Sequence, residues 1–309
     1  MMHEISYPFA VGRIKSLEKN LLDATVWQQL KDAKDENTML KILKEYGYGS
    51  QNEDYQSISK VVASEMDFVD HEIKSLTPAP ALTDLFYLPE DAYNIKLLLK
   101  GKLLKRDVKM LLHPSGVIDL KLLMESFIDD KWNDLPLPIA KTIEQSLNLQ
   151  DPFEISVAVD KTILLMIKEA LGHHKNQLIK RYFAIQFDSN NILSVIRGNA
   201  LGWPSSKINS LLVPGGSLEI KTIKKAIGKS ESQLFQFFSF GPNRFAYKEI
   251  LEDYTKDHQL FKVEERLDDL AFSVIHEQKN DSFGIGPIIN YLLQKRREAS
   301  SIRIIAAKK

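Results

Sequence analysis

The chain has 309 residues, with 41 Lys and Arg against 41 Asp and Glu, 44% hydrophobic residues, 27% charged residues and no cysteine. Balanced charge argues against a general nucleic-acid binder, and zero cysteines exclude disulfides, thiolate catalysis and Cys-based zinc sites while suiting a reducing compartment. The longest apolar run, residues 163–167, is far short of the roughly 18–20 residues of a membrane helix, and the opening residues 1–13 lack the apolar stretch of a signal peptide.

In chain order, Val11, Ile14, Leu17, Leu21 and Leu22 recur at helical spacing, opposite Arg13, Lys15, Glu18 and Lys19. This predicts one helix over residues 5–30. Asp35, followed by Met39, Leu40, Ile42 and Leu43, starts a second helix. It stops at Gly47 and Gly49, where positive φ is cheap. Ile58, Val61, Val62, Met66, Val69 and Ile73 predict a third helix over 55–76, ended before Pro78 and Pro80.

The chain then repeats itself. Residues 86–101, FYLPEDAYNIKLLLKG, return as residues 183–198, FAIQFDSNNILSVIRG. Phe86/Phe183, Asp91/Asp188, Asn94/Asn191, Ile95/Ile192 and Gly101/Gly198 are identical, and Lys100/Arg197 keeps its charge. LLHPSG at 111–116 is echoed by LLVPGG at 211–216, and a weaker third copy, EASSIRIIAAK, occupies 298–308. A period near 100 residues is too long for a small solenoid unit and suits a subdomain of several helices used three times. The expected lobes are 1–130, 131–228 and 229–309, interpenetrating rather than independent, the last truncated like a capping unit.

Within the copies, Ile95, Leu98, Leu99 and Leu103 form a core-facing stripe, matched by Ile192, Val195, Ile196 and Ala200 and begun again by Ile302, Ile305 and Ala306. Asp91 and Asp188 are expected near a helix start, accepting orphan backbone N–H groups. Residues 134–138 and 151–152 read as connectors. A long helix follows, with Ile155, Val159, Ile163, Leu164, Ile167 and Leu171 apolar, ending at Gly172. Two more helices span 263–276 and 288–305, separated by Gly284, Gly286 and Pro287. Only residues 218–220 and the cluster Phe235, Phe237, Phe238 and Phe240 resemble strands, so the fold class is all-α.

Motifs for chemistry are scarce. Gly228-Lys229-Ser230 lacks the earlier glycine of a phosphate-binding loop, since position 223 is Ile. His173 and His174 follow a helix-ending glycine and cannot share a metal. Glu264 with Asp268, and Glu265 with Asp269, read as a solvated helix face rather than acid/base pairs. Neither a catalytic order nor a cofactor motif is present, so an enzyme is not expected. The cations Lys295, Arg296, Arg297, Arg303, Lys308 and Lys309 read as a solvated helix, or as a surface for an acidic partner or lipid headgroups. Lys96 and Arg303 share one slot of the repeat, and Lys100 and Arg197 another. These four are the candidate partner-binding residues.

The segment 7–18, YPFAVGRIKSLE, with Leu21-Leu22; the helices at 91–96 (DAYNIK) and 188–192 (DSNNI); and the closing residues Gly286-Pro287, Tyr291, Leu292, Leu293, Lys295, Glu298, Ile302, Arg303, Ile304, Ile305 and Lys308 resemble a known family. It is the C subunit of V-type and A-type ATP synthases, called the d subunit in vacuolar enzymes. Ser301 and Arg296 depart from the family's usual residues. The resemblance implies a funnel of three helical lobes about a pseudo-threefold axis, without catalytic residues or cofactor. It implies a rotor component that receives the central stalk, sits peripherally on the membrane proteolipid ring at the cytoplasmic side, and passes torque for ATP-coupled proton or sodium transport. The alternative is a helical repeat scaffold for some other protein partner.

Overall fold

The computed structural model describes residues 6–49 and 57–309. Among these residues there are sixteen α-helices and three 3-10 turns, and no strand. The all-α expectation holds. Residue 5, where the first helix was expected to begin, residues 55–56 of the third, and the first five residues of the opening segment lie outside the described residues.

The expected helix over 5–30 is two helices. Helix α1 (Tyr7–Leu17) runs into a 3-10 turn at Glu18–Asn20, Leu21 is extended, and α2 (Ala24–Asp32) starts afresh. Asp23 causes the restart: its carboxylate accepts the Val26 N–H at 2.9 Å, the geometry of an N-cap. Helix α3 (Glu36–Glu45) is capped by Asp35, and Gly47 and Gly49 end it with φ of +79° and +81°. Helix α4 (Ile58–Leu76) is capped by Ser57 and stops before Pro78; α5 (Pro80–Thr83) is a single turn.

Helix α6 (Leu88–Leu104) carries the first copy of the repeat, followed by α7 (Leu120–Asp129) and α8 (Leu137–Ser146). The long α9 (Pro152–His173) follows, capped by Asp151 with Pro152 in its first turn, where a missing N–H costs nothing. Helix α10 (Gln177–Ala200) carries the second copy, and α11 (Ser205–Leu211) and α12 (Ile220–Lys224) are short. The phenylalanine cluster forms α13 (Glu231–Phe238) instead of a strand, burying Leu234 and Phe238 four residues apart. Residues 218–220 are likewise no strand, since they lead into α12. Helices α14 (Arg244–Asp257), α15 (Leu260–His276) and α16 (Gly286–Ala306) complete the chain. Gly286 and Pro287, expected between helices, are the first turn of α16.

The chain divides into two compact units, Asp84–Val274 and a unit assembled from both ends, Met1–Thr83 with Ile275–Lys309. In the first of these, α9 packs on α6 and α8, and α13 on α14. Ile155, Val159, Ile163, Ile167 and Leu171 give α9 its buried stripe, each four residues after the last. Ile192, Val195 and Ile196 of α10 share a core with Tyr247, Leu251, Val263 and Leu267.

In the unit built from both ends, α16 packs against α4, α1 and α2. Residues 286–292 of α16 are all buried, the mark of a helix enclosed on every side. Its later turns place Ala299 and Ile302 in one core with Met39, Leu43, Val61 and Val62.

Candidate functional site

The repeated residues build a clamp. Asp91 and Asp188 are wholly buried, yet each carboxylate is met by backbone donors from a loop well downstream. Asp91 accepts the N–H groups of Val117 at 3.0 Å and Ile118 at 3.1 Å. Asp188 accepts those of Ser217 and Leu218, both at 3.0 Å, with the Ser217 hydroxyl at 2.5 Å and the Tyr247 hydroxyl at 3.0 Å. The helix-start position holds for Asp91, in the first turn of α6, but not for Asp188, which lies mid-helix in α10. What recurs is the loop's N–H groups, not the helix's own.

Three residues on, Asn94 and Asn191 fasten the other side of the same loops. The Asn94 side-chain amide donates to the His113 carbonyl at 2.7 Å and accepts the His113 N–H at 2.8 Å. Asn191 does the same with Val213, at 2.8 Å and 2.9 Å. Gly116 and Gly216 close the fit, because a Cβ at either would overlap the carboxylate of Asp91 or Asp188. This accounts for the echo between LLHPSG and LLVPGG.

The third copy is completed by residues from the opposite end of the chain. Glu298, in the slot of Asp91, accepts the Leu22 N–H at 2.6 Å and the Tyr48 hydroxyl at 2.6 Å. In all three places the clamped residue directly precedes an acidic helix start: Ile118 before Asp119, Leu218 before Glu219, Leu22 before Asp23. Asp119 caps α7 through the Leu122 N–H at 2.8 Å, as Asp23 caps α2. Ser301, at the Asn94 slot, is exposed.

Electrostatics differ among the copies. Burial pushes the Asp188 carboxyl up, against the hydrogen bonds from Ser217, Leu218 and Tyr247. Burial, then the Asp188 charge, raises the Tyr247 hydroxyl. In the third copy Lys295 is completely buried, 2.9 Å from Glu65 and 3.1 Å from Glu298, with its Nζ 4.4 Å from the centre of the Tyr48 ring. Lys295 therefore departs from the solvated face expected of the C-terminal cations. Glu298 stands at i+3 on the same helix, a spacing visible in the sequence, whereas Glu65 comes from α4, which spacing along α16 does not reveal. Arg303, Lys308 and Lys309 do face solvent. Burial, then the Glu298 charge, raises the Tyr48 hydroxyl, and burial, then the Glu65 charge, raises that of Tyr291.

One of the four candidate cations, Lys96, lines a cleft of about 490 Å³ between α6, α9, α10 and α15, and Arg197 reaches its edge through Glu264. Lys96 Nζ stands 2.6 Å from Asp160 Oδ1, and Arg197 Nη2 stands 2.8 Å from Glu264 Oε2. Lys96, Asp160 and Glu264 line the cleft together with Asp268 and the apolar Ile163, Leu164 and Leu267. Arg197 lines an adjoining recess that shares Asp160, Leu164 and Asn190 with it. The hydroxyl of Ser189, also in the lining, is buried without a hydrogen-bond partner among the described residues.

Lys100 is half-buried one turn beyond Lys96 on α6, while Arg303 is exposed on α16 in the other unit. The sequence reading missed Asp160, although it interrupts the apolar run of α9; Glu264, Glu265, Asp268 and Asp269 are exposed, as the solvated-face reading expects, with Glu264 pairing across to Arg197. An apolar wall with both cations and carboxylates at its mouth can seat a segment carrying apolar and charged side chains.

Gly228 has a φ of +75° and donates its N–H to Asn199 Oδ1 at 2.8 Å, closing the turn after α12. His173 ends α9 and is exposed. Among the described residues no group of three or more His, Asp and Glu could hold a metal ion, and no helix is long and apolar enough to cross a membrane.

Comparison with known proteins agrees with the resemblance read from the sequence. The profile of a family described as ATP synthase (C/AC39) subunit matches residues 10–309. The C subunit of the A-type ATP synthase of Pyrococcus horikoshii is 22% identical over 320 aligned residues, covering 97% of this chain and 85% of its own. The C subunit of the V-type sodium ATPase of Enterococcus hirae is 21% identical over 316 residues, covering 98% and 92%. The C subunit of the A-type ATP synthase of Methanocaldococcus jannaschii is 22% identical over 334 residues, covering 97% and 82%. With a match that begins in α1 and runs to the final lysine, the chain belongs to the ATP synthase (C/AC39) subunit family.

Proposed function

We propose that this chain is a non-catalytic rotor component of a V/A-type ATPase, joining the central stalk to the membrane proteolipid ring. The observation that carries this reading is alignment along nearly the whole chain with relatives named as the C subunits of A-type ATP synthases and of a sodium ATPase. It is a peripheral protein on the cytoplasmic side, held there by the complex, and it transmits torque without chemistry of its own.

Three lobes arranged as a funnel suit this task, and the threefold recurrence of the clamp supports that arrangement. The third lobe, 229–309, then draws its missing part from the N-terminal residues that Glu298 fastens. Satisfied buried acids stiffen each lobe, and a torque-bearing part needs stiffness. The cleft edged by Lys96 and Arg197 is the place for a stalk segment, with Lys100 alongside and Arg303 as a further contact.

The test is co-purification of the tagged chain from its native membranes, followed by ATP-driven ion uptake in vesicles with and without it. The stalk and proteolipid subunits are expected with it, and uptake should require it. Turnover of ATP by the isolated chain, or recovery without those subunits, would overturn the reading.

A further inference from the structure

A second hollow, of about 320 Å³, lies where α6 ends beside α7. It is lined by the apolar Leu98, Val108, Met124, Phe127 and Ile128 and by the charged Lys102, Lys105, Arg106, Asp107 and Lys109. Apolar side chains also project outward around it. Met110 is 96% exposed, and Leu104, Leu111 and Ile128 are each more than half exposed. Grouped exposure of this kind marks an interaction surface rather than ordinary scatter.

The backbone explains why the tip protrudes. Helix α6 ends on Lys105 in the left-handed region, φ +52°, with the Arg106 N–H returning to the Gly101 carbonyl at 2.9 Å. The chain then closes a 3-10 turn at Lys109–Leu111, whose middle residue is Met110. Lys102 sits in the last helical turn, where a cation complements the helix dipole, and pairs with Asp130. Lys105, Arg106 and Lys109 lie beyond the helix and are exposed. Of the acids close by in sequence, Asp107 accepts the Lys109 N–H at 3.0 Å and Asp129 stands 3.7 Å from Lys131.

We propose that residues 102–111, with Phe127 and Ile128, form a docking surface for the anionic headgroups of a phospholipid bilayer. Lys105, Arg106 and Lys109 meet the phosphates, while Met110 and Leu111 enter the layer between them. Charge complementarity selects an anionic partner, since three cations crowd into a chain with no net charge. Protruding apolar side chains, Met110 and Leu111 foremost, sink among headgroups as interfacial anchors do. This goes beyond the rotor reading and does not rest on it, because the chain alone is tested.

The experiment is flotation of the purified full chain with phosphatidylglycerol-rich vesicles and with pure phosphatidylcholine vesicles, at low and high salt. Binding is expected only to the anionic vesicles and is weakened by salt. The triple variant Lys105→Glu, Arg106→Glu, Lys109→Glu should bind at least about tenfold less. Met110→Asp should also bind several-fold less, with an unchanged circular dichroism spectrum because the side chain is exposed.

Absence of the wild-type chain from floated phosphatidylglycerol vesicles would overturn the proposal, as would equal binding by the triple variant. If flotation is unaffected by the variants but co-purification with other subunits is lost, the surface docks protein and the lipid assignment falls. Failure of the rotor reading alone would leave the flotation result standing.

Discussion

The Glu298 carboxylate accepts the backbone N–H of Leu22 at 2.6 Å across 276 positions of sequence, so one end of the chain completes the motif begun at the other. Glu298 also receives the Tyr48 hydroxyl and faces Lys295. Glu298→Ala would orphan the Leu22 N–H and the Tyr48 hydroxyl and leave Lys295 with Glu65 as its remaining carboxylate. Breaking one member of a buried ionic group costs about 3–5 kcal/mol, and chemical denaturation should show a loss of that order. A loss below about 1 kcal/mol, the worth of an exposed pair, would mean the clamp is not structural.

Lys295 provides a second test through coupling. Lys295→Met alone leaves Glu65 and Glu298 buried side by side without their cation. Adding Glu65→Gln removes one uncompensated charge, so the double variant should be more stable than Lys295→Met by about 1–2 kcal/mol. Simple additivity of the two losses would refute the coupling.

Gly116→Ala and Gly216→Ala press a methyl group onto Asp91 and Asp188, and each should cost about 1–3 kcal/mol of stability. Gly172 supplies the control. It lies within α9 and its added Cβ meets nothing within 4 Å, so Gly172→Ala should stabilise by about 0.5–1 kcal/mol. Thermal melts would rank the three.

The pH dependence follows from Asp188. Burial raises its folded-state pKa above the unfolded value, so its contribution to stability is full below about pH 4, the ordinary carboxylate value, and declines as pH rises through its own pKa. Asp188→Asn lacks this titration, so the stability gap between wild type and variant should narrow from acid toward neutral pH. Asp253 behaves oppositely: Lys256 and Arg266 lower its pKa, and its contribution is lost as pH falls. Asp253→Asn should therefore flatten the acid limb of the profile, and a gap for Asp188→Asn that widens with pH would contradict the assignment.

At the cleft, Lys96→Ala combined with Arg197→Ala removes two partly exposed ion pairs, each worth about 0–1 kcal/mol, and should leave the fold nearly unchanged. Partner recovery in co-purification should fall at least about tenfold if acidic groups of a stalk segment meet these two cations, since close charge pairs at a contact are worth about 1.5–7 kcal/mol. Undiminished recovery would remove the cleft from the partner surface.

Much of the architecture is legible in local pattern. Asp35 and Asp151 announce helix starts, Gly47 and Gly49 a helix end, and the stripe from Ile155 to Leu171 a core-facing helix. The break at Asp23 is not, because Leu21 and Leu22 extend the apolar period of α1 while a single capping carboxylate decides the matter. The identities at Asp91, Asn94 and Gly116 are visible as repetition. Their meaning is not, since a bond from a side chain to an N–H some 26 residues on leaves no periodic trace. The same holds for Lys295 with Glu65, and for Asp160 with Lys96, where the partner comes from another helix.

The dependence of the first helices on α16 also sets an order of events during synthesis. Domains fold as units while the chain emerges, and everything needed for Asp84–Val274 leaves the ribosome before α16 does. Val61, Val62, Met39 and Leu43 must meanwhile remain without Ala299 and Ile302, their companions in the finished core. The part made first is thus the part finished last, and a nascent chain halted before α16 would present an intact middle with its leading helices still open to chaperones.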